Sequence, residues 1–561
     1  MGKIPQFIVY NKMKTKFLYV LTALTVFSLF YSCKEPPIPL SSAYIESLSV
    51  NGKSLSSDGT AMNVPIDSVI IQVIFSTEID NLKISPDKIY VSNNDKVQFE
   101  ILTTENPREL KLKLKDKLNY YTKYTLYINS GENLGVNIID NSKVNFLTEL
   151  DTTPKFPVIS TDSLLTLVQK QTFRYFWDYA HPVSGFARER LGSGETVTTG
   201  GTGFGLMAIL VGIERSFITR SQGYEQINKI VSFLSRPQTD KFHGAFPHWM
   251  NGTTGKVIPF STKDNGADLI ETSFLMQGLL TVQAYFKFGN SSEQAMCAAI
   301  QQLWEKVEWN WFQKNGEQKL YWHWSPDYKW DMNMPITGWN EGLIAYVLAA
   351  SSPTFPITKP VYDNGWARNG AMKNGNAYYG VTLPLGEGYG GPLFFTHYSF
   401  LGLDPRNLSD VYANYWTQNL AHAKINYNYC VANPRGYYGY GENCWGLTAS
   451  DFPDGYTASS PSNDRGTIAP TAALASFPYT PVESVKALNF FYYTLGNRIW
   501  GEYGFKDAFS LSRRWFAESY LAIDQGPVII MIENYRSGLI WNNFMSCPDV
   551  KSGLTKLGFN Y

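Results

Sequence analysis

Three carboxylates crowd into the segment KDNGADLIETSFLMQGLL: Asp264, Asp268 and Glu271, at offsets of four and seven. On a helix those offsets put all three on one face. A fourth, Glu341, stands in ITGWNEGLIAYVLAA, at the start of another predicted helix. Acids gathered in one hollow suit general acid/base chemistry. One protonated carboxyl gives its proton to a leaving oxygen, and one carboxylate activates water or attacks carbon, as glycosidic cleavage requires. Crowding also raises the pKa of at least one member, which a proton donor working near neutrality needs. The plain structural alternative is that Asp264 caps a helix while Asp268 and Glu341 favour positive helix ends.

The rest of the composition selects the substrate class. Lys plus Arg equals Asp plus Glu, at 48 each, and the 561-residue chain carries 15 Trp, 36 Tyr and 34 Phe. Balanced charge argues against a nucleic-acid partner, whose binding depends on phosphate neutralisation. Abundant aromatics suit the flat C–H faces of sugars as well as a core. Candidate substrate contacts are His248 and Trp249 in AFPHWMNG, Trp322 and Trp324 in YWHWSPDYKW, and Trp339 just before Glu341. Arg188 and Glu189 in SGFARER either hold sugar hydroxyls or form a structural ion network with Arg190. Trp445 and Asp451 in CWGLTASD suit stacking and hydroxyl recognition, and Glu387 in PLGEGYGG is a further loop carboxylate, or simply a solvated turn residue. No metal-ligand run and no cofactor motif is present. The six histidines and the four cysteines after residue 33 match no ligand spacing. Cys430 and Cys444 flank a Gly/Tyr-rich loop and read as buried free thiols or a pair. TGGTGFG (199–205) is no nucleotide loop, since a polar loop precedes it where a strand would be needed.

These residues need a scaffold, and the chain changes texture three times. Lys12, Lys14 and Lys16 precede a largely apolar region of 14 residues, Phe17 to Phe30, and then Tyr31-Ser32-Cys33. This reads as a signal peptide over 1–33, with Cys33 lipidated and the mature protein exported and anchored to a membrane of the cell envelope. Residues 34–42 form a Pro/Ser-rich tether. From 43 to 150 short alternating runs such as SVIIQVIFS, ELKLKLK and KYTLYINS predict a small all-β sandwich, and this segment resembles a bacterial Ig-like module. Residues 151–160 are a linker. From 161 to 561 the period is helical, and predicted helices include 161–180, 203–218, 265–288, 341–351, 408–425 and 525–540. Shorter apolar stretches near 391–402, 468–476 and 513–522 supply further helices. About six helix pairs predict an all-α (α/α)6 toroid whose loops surround a central pocket.

The helical part also resembles the bacterial glycoamylase-like family, glycoside hydrolase family 144, associated with β-1,2-glucan hydrolysis. The segments that carry the resemblance are SGFARER, TTGGTGFGLMAI, DNGADLIETSFLMQGLL, WNEGLIAYVLA, YGENCWGLTASDFPDGY and DQGPVIIMIENYRSGLIW. It implies cleavage of β-1,2-linked glucose chains, endo or exo with release of sophorose, with inversion at the anomeric carbon. Its functional acids fall on Asp264, Asp268, Glu271 and Glu341, with Glu341 the leading acid. Asp268, Glu271 and Asp524, which opens another helix, compete for the base. A non-catalytic glycan-binding lipoprotein, or an enzyme for another polysaccharide, is the alternative. The first has no use for four clustered acids, and an anionic polymer would call for a basic cleft.

Overall fold

The structure, a computed structural model, describes residues 39–53, 55 and 59–561. The signal segment, Cys33 and residues 34–38 of the tether lie outside the described residues. The chain divides between Glu149 and Leu150 into two compact units.

The first unit is a β-sandwich. One sheet orders Ile45–Val50, Ile70–Phe75, Glu109–Leu114 and Phe99–Ile101. The other orders Thr60–Val64, Ser142–Thr148, Lys123–Ile128, Ile89–Asn93 and Asp95–Val97. The period-two pattern read from the sequence sets the faces. Ile71, Val73 and Phe75 alternate with half-buried neighbours, and so do Leu110, Leu112 and Leu114. Register pairs Ile71 with Leu112 and Val73 with Leu110, so both strands send apolar side chains the same way. They meet Ile89, Val91, Leu126, Ile128 and Phe146 of the opposite sheet in one core.

The second unit is helical. Its principal helices are α1 (Thr161–Trp177), α2 (Thr199–Glu214), α3 (Arg220–Ser235), α4 (Leu269–Phe286), α5 (Ser291–Glu305), α6 (Leu343–Ser351), α7 (Tyr415–Ala432), α8 (Pro470–Leu474), α9 (Pro481–Asn489), α10 (Ala522–Arg536) and α11 (Pro548–Leu557). Two classes are visible in the sequence itself. α2, α4 and α6 are apolar nearly all round and buried nearly throughout, as helices enclosed by other helices must be. α1, α3, α5, α9 and α11 carry one apolar stripe and an exposed polar face. The buried set packs side by side: α10 on α2, α2 on α4, α4 on α6, and α8 on α10. Of two 3-10 turns, Leu393–Thr396 and Ser399–Leu401, the second packs between α6 and α10 and the first packs against the second. The amphipathic set covers them, with α1 on α10 and α2, α3 on α2, α5 on α4, α7 on the 393–396 turn, α9 on α8 and α11 on α6.

Glycine permits the tightest of these contacts. A Cβ on Gly203 would stand 2.1 Å from the Phe274 carbonyl oxygen, and one on Gly278 would stand 2.3 Å from the Gly203 carbonyl oxygen. Backbone therefore touches backbone between α2 and α4. That approach brings the first turn of α2 against Glu271 in the first turn of α4.

Four predicted elements differ. The 408–425 helix runs instead over Tyr415–Ala432, because Ser409 bridges Asn414 and Asn560 and Asn414 caps the helix by accepting the Thr417 N–H at 2.9 Å. The 265–288 helix begins only at Leu269, because Ala267–Asp268 pairs as a short strand with His323–Trp324. Gly266 allows that pairing, since a Cβ there would lie 2.3 Å from the Trp324 carbonyl oxygen. The 391–402 stretch, opened by Gly390, Gly391 and Pro392, yields only the two 3-10 turns. The 513–522 stretch contains a two-residue strand, Trp515–Phe516, rather than a helix. Cys430, Cys444 and Cys547 are buried free thiols, and Cys297 is half-buried.

Candidate active site

The beginnings of α2, α4, α6 and α10 face one region. Asp268 is the N-cap of α4, its Oδ1 accepting the Glu271 N–H at 2.9 Å. Glu271 sits in the first turn of α4 and reaches across to α2. Its Oε2 accepts the Gly200 N–H at 2.7 Å and the Thr198 hydroxyl at 3.2 Å. Glu341 lies in the turn two residues before α6, and its backbone carbonyl accepts the Ser399 hydroxyl. Helix N-termini carry partial positive charge and unpaired N–H groups, so acids are stabilised there as anions. Asp264 is in a loop, bridged to Ser261. The three acids thus do not share one helical face as the spacing predicted. A loop, an N-cap and a first turn bring them together.

Two histidines complete the cluster. Strands Thr196–Thr198 and Trp249–Asn251 pair, with Thr198 opposite Trp249, which carries the neighbouring His248 to the start of α2. His248 Nδ1 lies 2.9 Å from Asp268 Oδ2, and its Nε2 lies 3.9 Å from Glu271 Oε1. The Asp268–His323 strand pairing puts His323 Nε2 3.4 Å from Asp264 Oδ2 and 3.7 Å from Asp268 Oδ2.

Burial and charge sort the protonation states. Burial pushes Glu341, only 9% exposed, up to about 7, and the charges of Asp268 and Glu271 push the same way. Burial and the Asp268 charge likewise lift Asp264 to about 7. Burial also raises Glu271, while His248 and the α2 amide oppose it. Asp268 goes the other way. Burial disfavours its charge, but the hydrogen bond and charge of His248, with His323 and the Glu271 N–H, outweigh it and hold it below the usual range. Burial pulls His248 down, but Glu271, Asp268 and Asp264 lift it to about 9. Near neutrality the cluster sets an imidazolium against the ionised Asp268, with Asp264 and Glu341 holding their protons more tightly than free carboxyls.

Of these groups Glu271, Glu341 and His248 open on a cavity of about 460 Å³, which Asp264, Asp268 and His323 do not line. Glu271, Glu341, His248, Trp249, Trp322 and Glu189 all line it, together with Arg190, Thr198, Phe260, Tyr398 and Tyr456. Its polar groups are few and convergent and its walls largely aromatic, which suits an uncharged polyhydroxylated ring.

Several predicted site residues stand elsewhere. Trp445 is fully buried and donates its indole N–H to the Glu483 carbonyl at 3.2 Å, so it is core rather than a stacking surface. Arg188 lies over the Tyr179 ring at 4.8 Å and does not line the cavity. Trp324 makes an edge contact with His243. Asp451 accepts Arg190 at 3.2 Å and the Ser519 hydroxyl at 2.5 Å, and Arg190 also pairs with Glu189 at 3.0 Å. The ion network weighed for this segment is therefore present, centred on Arg190. Asp524 is buried behind the wall formed by Leu521 and Ile523. Burial and the neighbouring Asp507 and Asp451 charges raise it well above a normal carboxyl, and burial with Asp451 lifts Asp507 to about 7. Trp339 and Glu387 line a second cavity.

His248, Asp264 and Asp268 each offer an atom within 4.8 Å of the others, the one such set of potential metal ligands among the described residues. Two ligands on a tetrahedral zinc, each about 2.0–2.1 Å from the metal, stand roughly 3.3 Å apart. The 2.9 Å contact between His248 and Asp268 is a hydrogen-bond distance instead, so the arrangement fits a shared proton better than a cation. The spacing of the acids did not reveal Tyr398, Tyr456, Phe260 or Asp507. None of them stands at a spacing that ties it to the acids, and His323 was legible only as one of six scattered histidines.

Comparison with known proteins gives the following. Residues 333–548 match the glycoamylase family, described as "Putative glucoamylase", and residues 50–148 match the bacterial Ig-like domain family. An exo beta-1,2-glucooligosaccharide sophorohydrolase (non-reducing end) of Parabacteroides distasonis is 49% identical over 421 residues. That match covers 71% of this chain, which spans 58% of the relative's length. The structure of an endo-beta-1,2-glucanase from Chitinophaga pinensis, in complex with sophorotriose and glucose, is 55% identical with a TM-score of 0.70. It covers 72% of this chain and 99% of its own. A beta-1,2-glucanase structure from Parabacteroides distasonis is 40% identical with a TM-score of 0.69, covering 93% of this chain and 74% of its own.

Proposed function

Because the chain belongs to the glycoamylase-like family that includes the β-1,2-glucanases, we propose that it hydrolyses β-1,2-glucosidic bonds in β-1,2-glucan or its oligosaccharides. The observation that carries this reading is the cavity on which two glutamates open, one of them pushed up to about 7. Glu341 enters the cycle protonated and gives its proton to the glycosidic oxygen as the C1–O bond breaks. Glu271 takes a proton from water while that oxygen bonds C1 from the opposite face, which inverts the anomer. Solvent then restores both groups. Glu271 is preferred to the other base candidates because it lines the cavity and, among the described residues, its Oε1 has no donor nearer than His248 at 3.9 Å. Asp268 has both oxygens engaged, and Asp524 holds a proton behind the wall. Asp268 then acts by holding His248, whose positive charge opposes the rise that burial imposes on Glu271.

The scaffold reading is an (α/α)6 toroid. α2, α4, α6, the 393–401 turns, α8 and α10 form the inner ring, and the amphipathic helices form the outer one. The address reading is an exported lipoprotein attached through Cys33, supported by the Lys-rich and apolar runs before it. Incubation with linear β-1,2-glucan tests the activity. New reducing ends are expected, as one disaccharide from the start for exo action or an early spread of sizes for endo action. No new reducing ends would sink the reading.

A further inference from the structure

We infer that the β-sandwich unit meets the bilayer through one apolar flank, made by Leu40, Tyr44, Leu82 and Ile139, beside the point where the tether enters. This rests on the address reading above, in which Cys33 carries the lipid. Among the described residues of this unit five large hydrophobic side chains are exposed, these four and Tyr120, and Leu82 is 96% exposed.

Strand pairings gather the four. Ser42–Ala43 runs parallel to Val136–Ile138, with Ser42 beside Asn137 and Ala43 beside Ile138. Ala43 is buried, so period-two alternation turns Leu40, Ser42 and Tyr44 outward together. Ile139 donates its N–H to the Ala43 carbonyl at 3.0 Å, which sets it beside Tyr44. In the other direction the parallel register leads from Leu40 to the Leu134–Gly135 turn. That turn is held against the one over Asp80–Lys83. The Asp80 N–H donates to the Leu134 carbonyl at 2.8 Å, and the Leu134 N–H donates to the Lys83 carbonyl at 3.3 Å. Leu82 is the apex of this second turn. Ile79 and Ile84 on either side of it pack on the core, and Asp80 accepts the Leu82 N–H at 3.0 Å. The turn thus fixes its leucine in water, where an apolar side chain is disfavoured. Scattered exposed hydrophobics need no explanation, but a gathered set marks a contact surface.

The tether selects what covers it. Pro39 follows Cys33 by six positions, which span at most about 20 Å. A unit of about 100 residues is about 30 Å across. With a tether shorter than the unit is wide, the surface around its entry point stays nearest the bilayer. Leucine and isoleucine suit the acyl boundary and tyrosine the headgroup level. Lys83 is spent on Asp80 at 3.4 Å, and the exposed Asp140 follows Ile139, so the attraction is apolar rather than ionic. Such a surface binds weakly alone. The anchor makes the contact intramolecular, and a weak contact then suffices.

The test uses the chain from residue 34 with an N-terminal hexahistidine segment, captured on phosphatidylcholine vesicles that contain nickel-chelating lipid. Capture then does not depend on acylation of Cys33. An environment-sensitive nitrobenzoxadiazole label is placed at Leu82→Cys and, as a control, at Lys113→Cys, both in a Cys297→Ser background. Lys113 pairs with Ile70, at the far end of the strand that leads through Phe75 to Ser76 and Tyr44. Capture is expected to brighten the first label severalfold, shift its emission to the blue and leave the control unchanged. Adding Tyr44→Asp and Ile139→Asp is expected to abolish the rise. No rise at the first label, an equal rise at both, or a rise confined to vesicles with anionic lipid overturns the assignment. So does an equal rise on lipid-free nickel resin, where only neighbouring copies are in reach. Wild type recovered from its membranes without an acyl chain on Cys33 overturns the address reading, and the assignment with it.

Discussion

Replacing Glu341 by Gln separates catalysis from stability in opposite directions. In the folded protein the side chain holds its proton up to about pH 7, against an ordinary value of 4.5, because it is buried. Below pH 4.5 it is protonated in folded and unfolded chains alike and costs nothing. Between 4.5 and 7 the unfolded chain releases the proton and the folded chain does not, so stability falls as pH rises. Above 7 the full deficit is present, about 3 kcal/mol at about 1.4 kcal/mol per pH unit. Glutamine, always neutral, removes it. At about 2.1 cal/mol/K of unfolding entropy per residue, the helical unit of roughly 400 residues should gain about 3–4 °C in Tm. E341Q is therefore expected to melt a few degrees above wild type at pH 8.5 and at the same temperature at pH 4, by calorimetry at matched ionic strength. Its kcat on β-1,2-glucan should fall by about 10²–10⁴, the usual worth of a positioned proton donor. Two results refute the reasoning: a near-wild-type rate, or a Tm difference that does not change with pH.

Other consequences follow from the same geometry. His248→Asn removes the cation that lowers Glu271. The acid limb of the kcat/KM profile, where the base must be ionised, should move to higher pH, with a lower maximum. Gly278→Ala forces a Cβ to 2.3 Å from the Gly203 carbonyl oxygen, so denaturant unfolding should show a loss of about 1–3 kcal/mol or more. Cys33→Ser should move the protein from the membrane pellet to the soluble fraction, whereas wild type stays with the membranes.

What the sequence made legible follows how local each cause is. The sandwich strands were legible because alternation is a property of neighbouring residues, as in Ile70–Phe75 and Glu109–Leu114. The inner helices were legible because no exposed face interrupts their apolar runs. The acids of the site were legible as a set, since Asp264, Asp268, Glu271 and Glu341 stand within two segments. Their arrangement was not. Whether Asp264 belongs to a helix is decided by a strand pairing with His323–Trp324, more than fifty residues away in the chain. The tryptophans show the same limit. Trp445 and Trp322 both sit in aromatic, polar-flanked loops, yet the first fills the core against Glu483 and the second lines the cavity. Only packing from distant segments separates them.

In the proposed mechanism Glu341 and Glu271 act across one cavity to displace a sugar from C1 with water. Proton NMR of the enzyme acting on a β-1,2-glucooligosaccharide tests it most directly, because it reads the configuration of new reducing ends before they mutarotate. Inversion gives α-anomeric signals first, with the β form growing in later. β signals first, or no new anomeric signals at all, would contradict it.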